Sequence, residues 1–127
     1  KVLNPTFKGQ YASTTLSFGQ SDVAIKGRYA FVSITNSNKF IILDISDPAY
    51  PTYVSTADVT GGTALSSPRG VAISGNFAYV ANFVSGIGFI SVFDISNPKH
   101  VRWVAEIKPA GQELRRVNFI EINGNYL

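Results

Sequence analysis

Two aspartates stand at matching places in the chain and are its most regular candidates for chemistry. Asp44 and Asp94 each follow a short apolar run and precede the residues Ile-Ser-Asx-Pro. Carboxylates of this kind serve as metal ligands when several oxygen ligands converge, as in the pattern Asp-x-Asp-x-Asp-Gly, and no such pattern occurs here. We therefore expect each carboxylate to accept hydrogen bonds from nearby backbone N–H groups in an Asx turn.

The only histidine, His100, follows Asn97-Pro98-Lys99 and is expected in a surface loop. A Ser-His-Asp triad or a histidine metal centre would need this residue together with distant partners. Serine is frequent, but no Gly-x-Ser-x-Gly elbow occurs, and no glycine pair is followed by the Lys-Ser/Thr of a phosphate loop. The sequence predicts no catalytic residue, no metal ligand and no cofactor-binding residue.

Four residues are candidates for binding a ligand. Arg69 and Arg116 each precede an expected strand, where a ring of guanidinium groups would bind anions. The equivalent position in the first copy of the repeat described below is Ser21, which weakens the idea of a ring. Tyr53 and Trp103 occupy matching positions, where aromatic side chains stack on sugars or pack between sheets. For all four we favour the simpler interpretation, namely solvated arginines and packed rings.

These candidates lie within an internal repeat. Residues 22–32 align with residues 70–80, and residues 43–48 align with residues 93–98. The second pair of blocks is two residues farther apart than the first, so we place a two-residue insertion within 82–88. The copies are thus offset by 48 residues in the first pair of blocks and by 50 in the second. A period of this length indicates that each copy is one supersecondary unit.

Partial copies flank the two complete ones. Residues 122–127 resemble residues 73–78, and residues 4–7 resemble residues 50–53. We therefore expect the end of a preceding copy at 1–20, complete copies at 21–59 and 69–107, and the start of a further copy at 116–127.

Each copy is expected to form four strands. Val23 and Ile25 alternate with Ala24 in the period of a half-buried strand, and the turn Lys26-Gly27-Arg28 suits a hairpin. The remaining strands are predicted at 29–34, 40–45 and 52–57, and the only helical signal, at 111–116, is too short to be stable alone. Four-stranded sheets at this period favour a β-propeller over a β-sandwich, because close self-similarity is rare in sandwiches.

The third strand and its turn resemble the LVIVD repeat. The segments that carry the resemblance are residues 40–48 and 89–98, together with the glycine-containing hairpin at 71–80. The resemblance implies an all-β fold, a β-propeller segment of four-stranded antiparallel blades that is part of a larger closed propeller, in a protein exported or displayed at the cell surface. It implies no shared activity, and fold alone licenses none.

Composition narrows the partners. The 127 residues carry a net charge of +3 that is spread along the chain, which is not the clustered charge of a nucleic-acid binder. No apolar run reaches the roughly 20 residues of a transmembrane helix, and the absence of cysteine excludes disulfides and thiolate sites. A closed propeller takes about four to eight blades, so we expect the rest of the same polypeptide or other subunits to complete it. Of these, a chain that is one part of a longer polypeptide is the interpretation we favour.

The function predicted from these observations is a non-catalytic scaffold, extracellular or at the cell surface, that mediates protein interaction or assembly. Two alternatives stay open. One is a carbohydrate-binding propeller that uses Trp103 or Tyr53, and the other is an enzyme whose active site lies in blades outside this chain. An enzyme is the less favoured of these interpretations.

Overall fold

The computed structural model describes residues 4–108 and 120–126, and their regular structure consists of two four-stranded antiparallel sheets. The prediction of an all-β fold built from four-stranded antiparallel units is confirmed. Each sheet is a meander in chain order. The strands of the first sheet are β1 (Ser21–Lys26), β2 (Tyr29–Ile34), β3 (Lys39–Asp44) and β4 (Thr52–Thr56). Those of the second are β5 (Val71–Ser74), β6 (Phe77–Val84), β7 (Ile87–Asp94) and β8 (Arg102–Ile107).

Glycine turns join the first two strands of each sheet. Gly27 and Gly75 have φ angles of +59° and +56°, a left-handed conformation that costs other residues energy. Gly124, at the equivalent place in the predicted start of a further copy, has φ +62° and lies in a turn closed by a bridge between Asn123 and Tyr126. A glycine in the left-handed conformation therefore recurs in all three of these turns.

The two extra residues of the second copy lie in the hairpin between β6 and β7. Strands β6 and β7 each have eight residues, whereas β2 and β3 each have six. The β6–β7 connection is the tight turn Ser85-Gly86, with φ +47° and +87°. The longer hairpin extends beyond the rest of the sheet, and its apolar tip residues Val84 and Ile87 are exposed.

The main core fills the space between the two sheets. Phe31, Phe40 and Ile42 of the first sheet pack with Val80 and Phe93 of the second. The rings of Phe40 and Phe93 have centroids 5.1 Å apart. Burial of such large side chains contributes about 1.5–3 kcal/mol each, so this shared cluster holds the sheets together face to face.

A second cluster covers the opposite face of the first sheet. Ala30, Ile34, Ile41 and Leu43 are buried there under side chains of the segment that precedes β1. The covering residues are Tyr11, Leu16 and Phe18. Residues 4–20 contain no strand, and their assignment to the end of a preceding blade stays a prediction.

The first strand of the first sheet, β1, departs from the predicted pattern. Val23 and Ile25, expected on the buried face of a half-buried strand, are 51% and 63% exposed, whereas Ala24 between them is half-buried. The reason is that Ala24 faces the second sheet, while Val23 and Ile25 face away from it and no part of residues 4–108 and 120–126 covers them. Smaller differences concern strand limits, because β3 begins one residue earlier and both β3 and β4 end one residue earlier than expected. The predicted helical segment 111–116 lies outside the described residues.

Candidate functional site

The turn after β3 is built around the carboxylate of Asp44. Its Oδ1 accepts a hydrogen bond from the Ser46 backbone N–H at 2.8 Å, and its Oδ2 accepts two from the Arg28 guanidinium, at 2.6 and 3.0 Å. The guanidinium hydrogen bonds, followed by those from Ser46, lower the pKa of Asp44 well below its usual range. The carboxylate is therefore fixed as a charged turn cap.

Asp94 repeats this turn in the second sheet with a weaker cation. Its Oδ1 accepts hydrogen bonds from the Ser96 backbone N–H at 2.9 Å and from the Ser96 hydroxyl at 2.7 Å. Arg102 lies 3.7 Å from Asp94 Oδ2, and Ser96 is the main cause of the lowered pKa of this carboxyl. The two aspartates thus make the backbone contacts of the Asx turn that their sequence context predicts.

The interface between β1 and the second sheet is polar near both ends of β1. Asp22 of β1 accepts a hydrogen bond from the Val71 backbone N–H of β5 through Oδ2, at 2.9 Å. At the other end of β1, the Lys26 ammonium donates to the Gly75 carbonyl and, at 3.2 Å, to Asn76 Oδ1. Strand β1 is therefore hydrogen-bonded to the second sheet near both of its ends.

Hydroxyl groups continue this polar seam toward the outer strands. The Ser33 hydroxyl donates to the Arg69 carbonyl, and the Thr35 hydroxyl donates to the Pro68 carbonyl at 2.6 Å. On β4, the Ser55 hydroxyl donates to the Pro98 carbonyl at 2.6 Å. Backbone hydrogen bonds join the sheets as well, because the carbonyl of Asp58, two residues beyond the end of β4, accepts from the Trp103 N–H of β8 at 2.7 Å.

Sequence reasoning missed these seam residues. The signal was a difference between the two copies, since the polar residue of the first copy has a small or apolar counterpart in the second. The pairs are Asp22 and Gly70, Ser33 and Ala81, Thr35 and Phe83, and Ser55 and Ala105. A comparison that looks only for shared residues discards such positions.

Of the two arginines predicted to bind anions, only Arg69 lies among the described residues. Its guanidinium stands over the Phe83 ring, with Cζ 5.6 Å from the centroid, and its backbone N–H donates to the Ala81 carbonyl. Arg69 therefore packs along β6 just before the inner strand of the second sheet. Arg116 lies outside the described residues, and an anion-binding role for either stays a prediction.

The two predicted aromatic residues lie in different surroundings. Trp103 is half-buried beside the main core, and one face of its indole lies against Gly62, where a Cβ atom would collide with the ring. Tyr53 is 50% exposed, and its hydroxyl lies 2.7 Å from that of Thr56. Trp103 is therefore packed against the connection that contains Gly62, whereas half of Tyr53 is exposed, and sugar binding by either stays a prediction.

The remaining chemical candidates do not converge. His100 is exposed, and its backbone N–H donates to the Asn97 carbonyl at 2.9 Å. Within residues 4–108 and 120–126, no three His, Cys, Asp or Glu side chains lie close enough to hold a metal ion. No helix in this part of the chain is long and apolar enough to cross a membrane.

Comparison with known proteins identifies the repeat. The model of the LVIVD repeat matches residues 20–59 and residues 67–106, and the two matches together span more than half of the chain. Each match contains one of the two sheets apart from the last residue of β8. No curated protein and no solved structure matches the chain. The two packed sheets are therefore two copies of one repeat, and the chain belongs to the LVIVD repeat family.

Proposed function

We propose that this chain is a non-catalytic scaffold, a segment of an exported β-propeller that presents its loops to protein partners. Membership of a repeat family and the face-to-face packing of its two sheets support a scaffold. The aspartates that recur in both copies support it too, because they are used to hold turns. Function would then depend on the shape of a rigid disc and on the loops between its strands.

The proposal rests on one observation, namely that equivalent residues of β1 and β5 differ in how much they are exposed. Val71 and Ile73 of β5 pack into the core against the first sheet, and Val71 is only 6% exposed. Their counterparts Val23 and Ile25 of β1 are 51% and 63% exposed. Apolar residues clustered on an exposed strand are typical of an interaction surface.

The occupant that fits this surface is another sheet of the same repeat. Strand β5 of the second sheet packs against the first sheet, and β1 has the same sequence pattern and the same hairpin as β5. A further sheet stacked on β1 would continue the interface already present between the two sheets. This repeated stacking is what closes a propeller.

A spin label at position 23 tests the proposal. The chain contains no cysteine, so Val23→Cys gives a single labelling site. In the protein as it exists in its native assembly, we expect a label at position 23 to be immobilised, because a neighbouring sheet covers it. The matched control is Val84→Cys at the hairpin tip, where the label should stay mobile.

The outcomes of this test are distinct. An immobile label at position 23 together with a mobile one at position 84 supports the stacked scaffold. A mobile label at both positions would contradict it. Export is tested separately, since a thiol reagent that cannot enter cells should label Val84→Cys on intact cells if the protein is displayed outside.

A further inference from the structure

A cleft opens between two parts of the chain, namely the β2–β3 turn with the start of β3 on one side and the connection between β4 and β5 on the other. Its volume is about 300 Å³, at the small end of the range for small-molecule sites. Phe40, Val59 and Leu65 line its apolar part, and Asn38 and Lys39 line its polar part. Phe40 and Leu65 are buried core residues, so the cleft reaches down to the shared core.

The polar side of the cleft offers hydrogen-bond donors. Asn38 Oδ1 is already used, because it accepts from the Ser67 N–H at 2.7 Å, which leaves its amide NH₂ as a donor. Lys39 is exposed and has no carboxylate within 4.0 Å among the described residues. A cation and an amide donor beside an apolar lining are complementary to an anion that carries an apolar body.

Asn38 of the cleft wall is joined by a hydrogen bond to Ser67, which lies outside the lining. Asn38 and Ser67 both have left-handed backbones, with φ +52° and +43°, a conformation that non-glycine residues rarely adopt. The hydrogen bond between them joins the β2–β3 turn to the connection that leads into β5. Residues held in this way cluster at binding sites, where preorganisation lowers the entropy lost on binding.

We propose that this cleft binds a small amphipathic carboxylate, with the carboxylate at Lys39 and Asn38 and the apolar body against Val59 and Leu65. All the lining residues belong to the β2–β3 turn, to the start of β3 or to the connection that follows β4, which are described parts of this chain. The site therefore does not depend on what covers Val23 and Ile25, and it goes beyond the scaffold function.

Three probes with the same tail and different heads test the site. They are sodium octanoate, 1-octanol and octylammonium chloride, each used below the concentration at which it aggregates. Binding is followed by the shifts of backbone amide NMR signals. We expect octanoate to shift the signals of Val59, Ala64 and Leu65, octanol to shift them more weakly, and octylammonium to bind least.

Two variants and a control separate charge from shape. Lys39→Gln should weaken octanoate binding by about threefold to fivefold and leave octanol unchanged, since an exposed ion pair contributes modestly. Ala64→Phe, an exposed position on the cleft wall, should fill the space and abolish the binding of both. The matched control Lys99→Gln, in the exposed turn between β7 and β8, should change neither.

Several results would overturn the proposal. One is equal affinity for the three head groups, and another is octanoate binding that Lys39→Gln leaves unchanged. A third is a set of shifts confined to Val23 and Ile25, which would mean that the tail adsorbs to the exposed strand. That third result would leave the scaffold proposal intact, so the two proposals fail separately.

Discussion

At the scale of single residues, the repeated aspartates differ in the cation that each one meets. Arg28 makes two hydrogen bonds to Asp44, whereas Arg102 lies 3.7 Å from Asp94. We expect Asp44→Asn to lower the melting temperature more than Asp94→Asn at neutral pH, because only Asp44→Asn removes a close ion pair, whereas in both variants the amide oxygen can still accept the hydrogen bond of the turn. Thermal unfolding followed by circular dichroism measures the difference.

The pH dependence of that difference has a definite sign. The pKa of Asp44 is lowered in the folded protein, so its charged form stabilises the fold above the unfolded pKa of about 3.9. This stabilisation should persist at neutral pH and shrink as the pH falls from about 4 toward the folded pKa. A gap between parent and Asp44→Asn that stays constant down to about pH 2 would contradict this account.

Gly62 is the residue at which a single methyl group should matter most. A Cβ atom there would collide with the Trp103 ring, so the connection or the indole must move in Gly62→Ala. We expect a loss of about 1–3 kcal/mol in the free energy of unfolding and a shift in the emission of this single tryptophan.

The neighbouring glycine provides a matched control for that change. Gly61 has φ +82° and open space around it, so Gly61→Ala should cost about 1 kcal/mol through backbone strain alone. Its tryptophan emission should equal that of the parent. If Gly62→Ala left the emission unchanged too, the close approach of the connection to Trp103 would be refuted.

At the scale of elements, the seam between the sheets depends on a few polar groups around an apolar centre. Asp22→Ala removes the acceptor of the Val71 N–H, and Val71 is nearly buried. We expect a loss of about 1–3 kcal/mol in urea unfolding, because a buried donor is left without its partner. Asp47→Ala is the control, since Asp47 is exposed and caps only its own turn, and it should cost less than about 0.5 kcal/mol. Equal losses for the two variants would show that Asp22 does not join the sheets.

The strands could be predicted from the sequence, but the seam could not. Gly27 and Gly75 sit at the same place in the two copies and define matching hairpins, so local chemistry was sufficient for these elements. The β3–β4 and β7–β8 pairings, by contrast, each contain a register shift, which no residue type announces. The role of Asp22 could not be predicted from the sequence either, because its partner is the backbone N–H of a residue in the other sheet. The cleft beside Lys39 likewise depends on how the connection after β4 lies against the β2–β3 turn.

At the scale of the whole molecule, the direction in which an apolar strand faces decides what it does. Repetition in the sequence predicted sheets that pack in a row, and the core shared by Phe40 and Phe93 is that packing. The alternation of residues along β1 predicted that the face with Val23 and Ile25 is buried. These two residues lie instead on a face that no other part of the described chain covers. Periodicity reports which residues share a face, and only the neighbouring sheet determines whether that face is buried.

This uncovered face should make the isolated 127-residue chain associate with itself. Val23→Thr combined with Ile25→Thr keeps β-branched side chains in the strand but reduces the apolar surface. We expect sedimentation velocity to show self-association of the parent chain that is about tenfold weaker in this double variant. The matched control, Val84→Thr with Ile87→Thr, alters a similarly exposed pair at the hairpin tip and should associate like the parent. A parent chain that stays monomeric at every concentration would show that the exposed residues of β1 do not drive association. A larger effect of the control pair would show that the hairpin tip drives it instead.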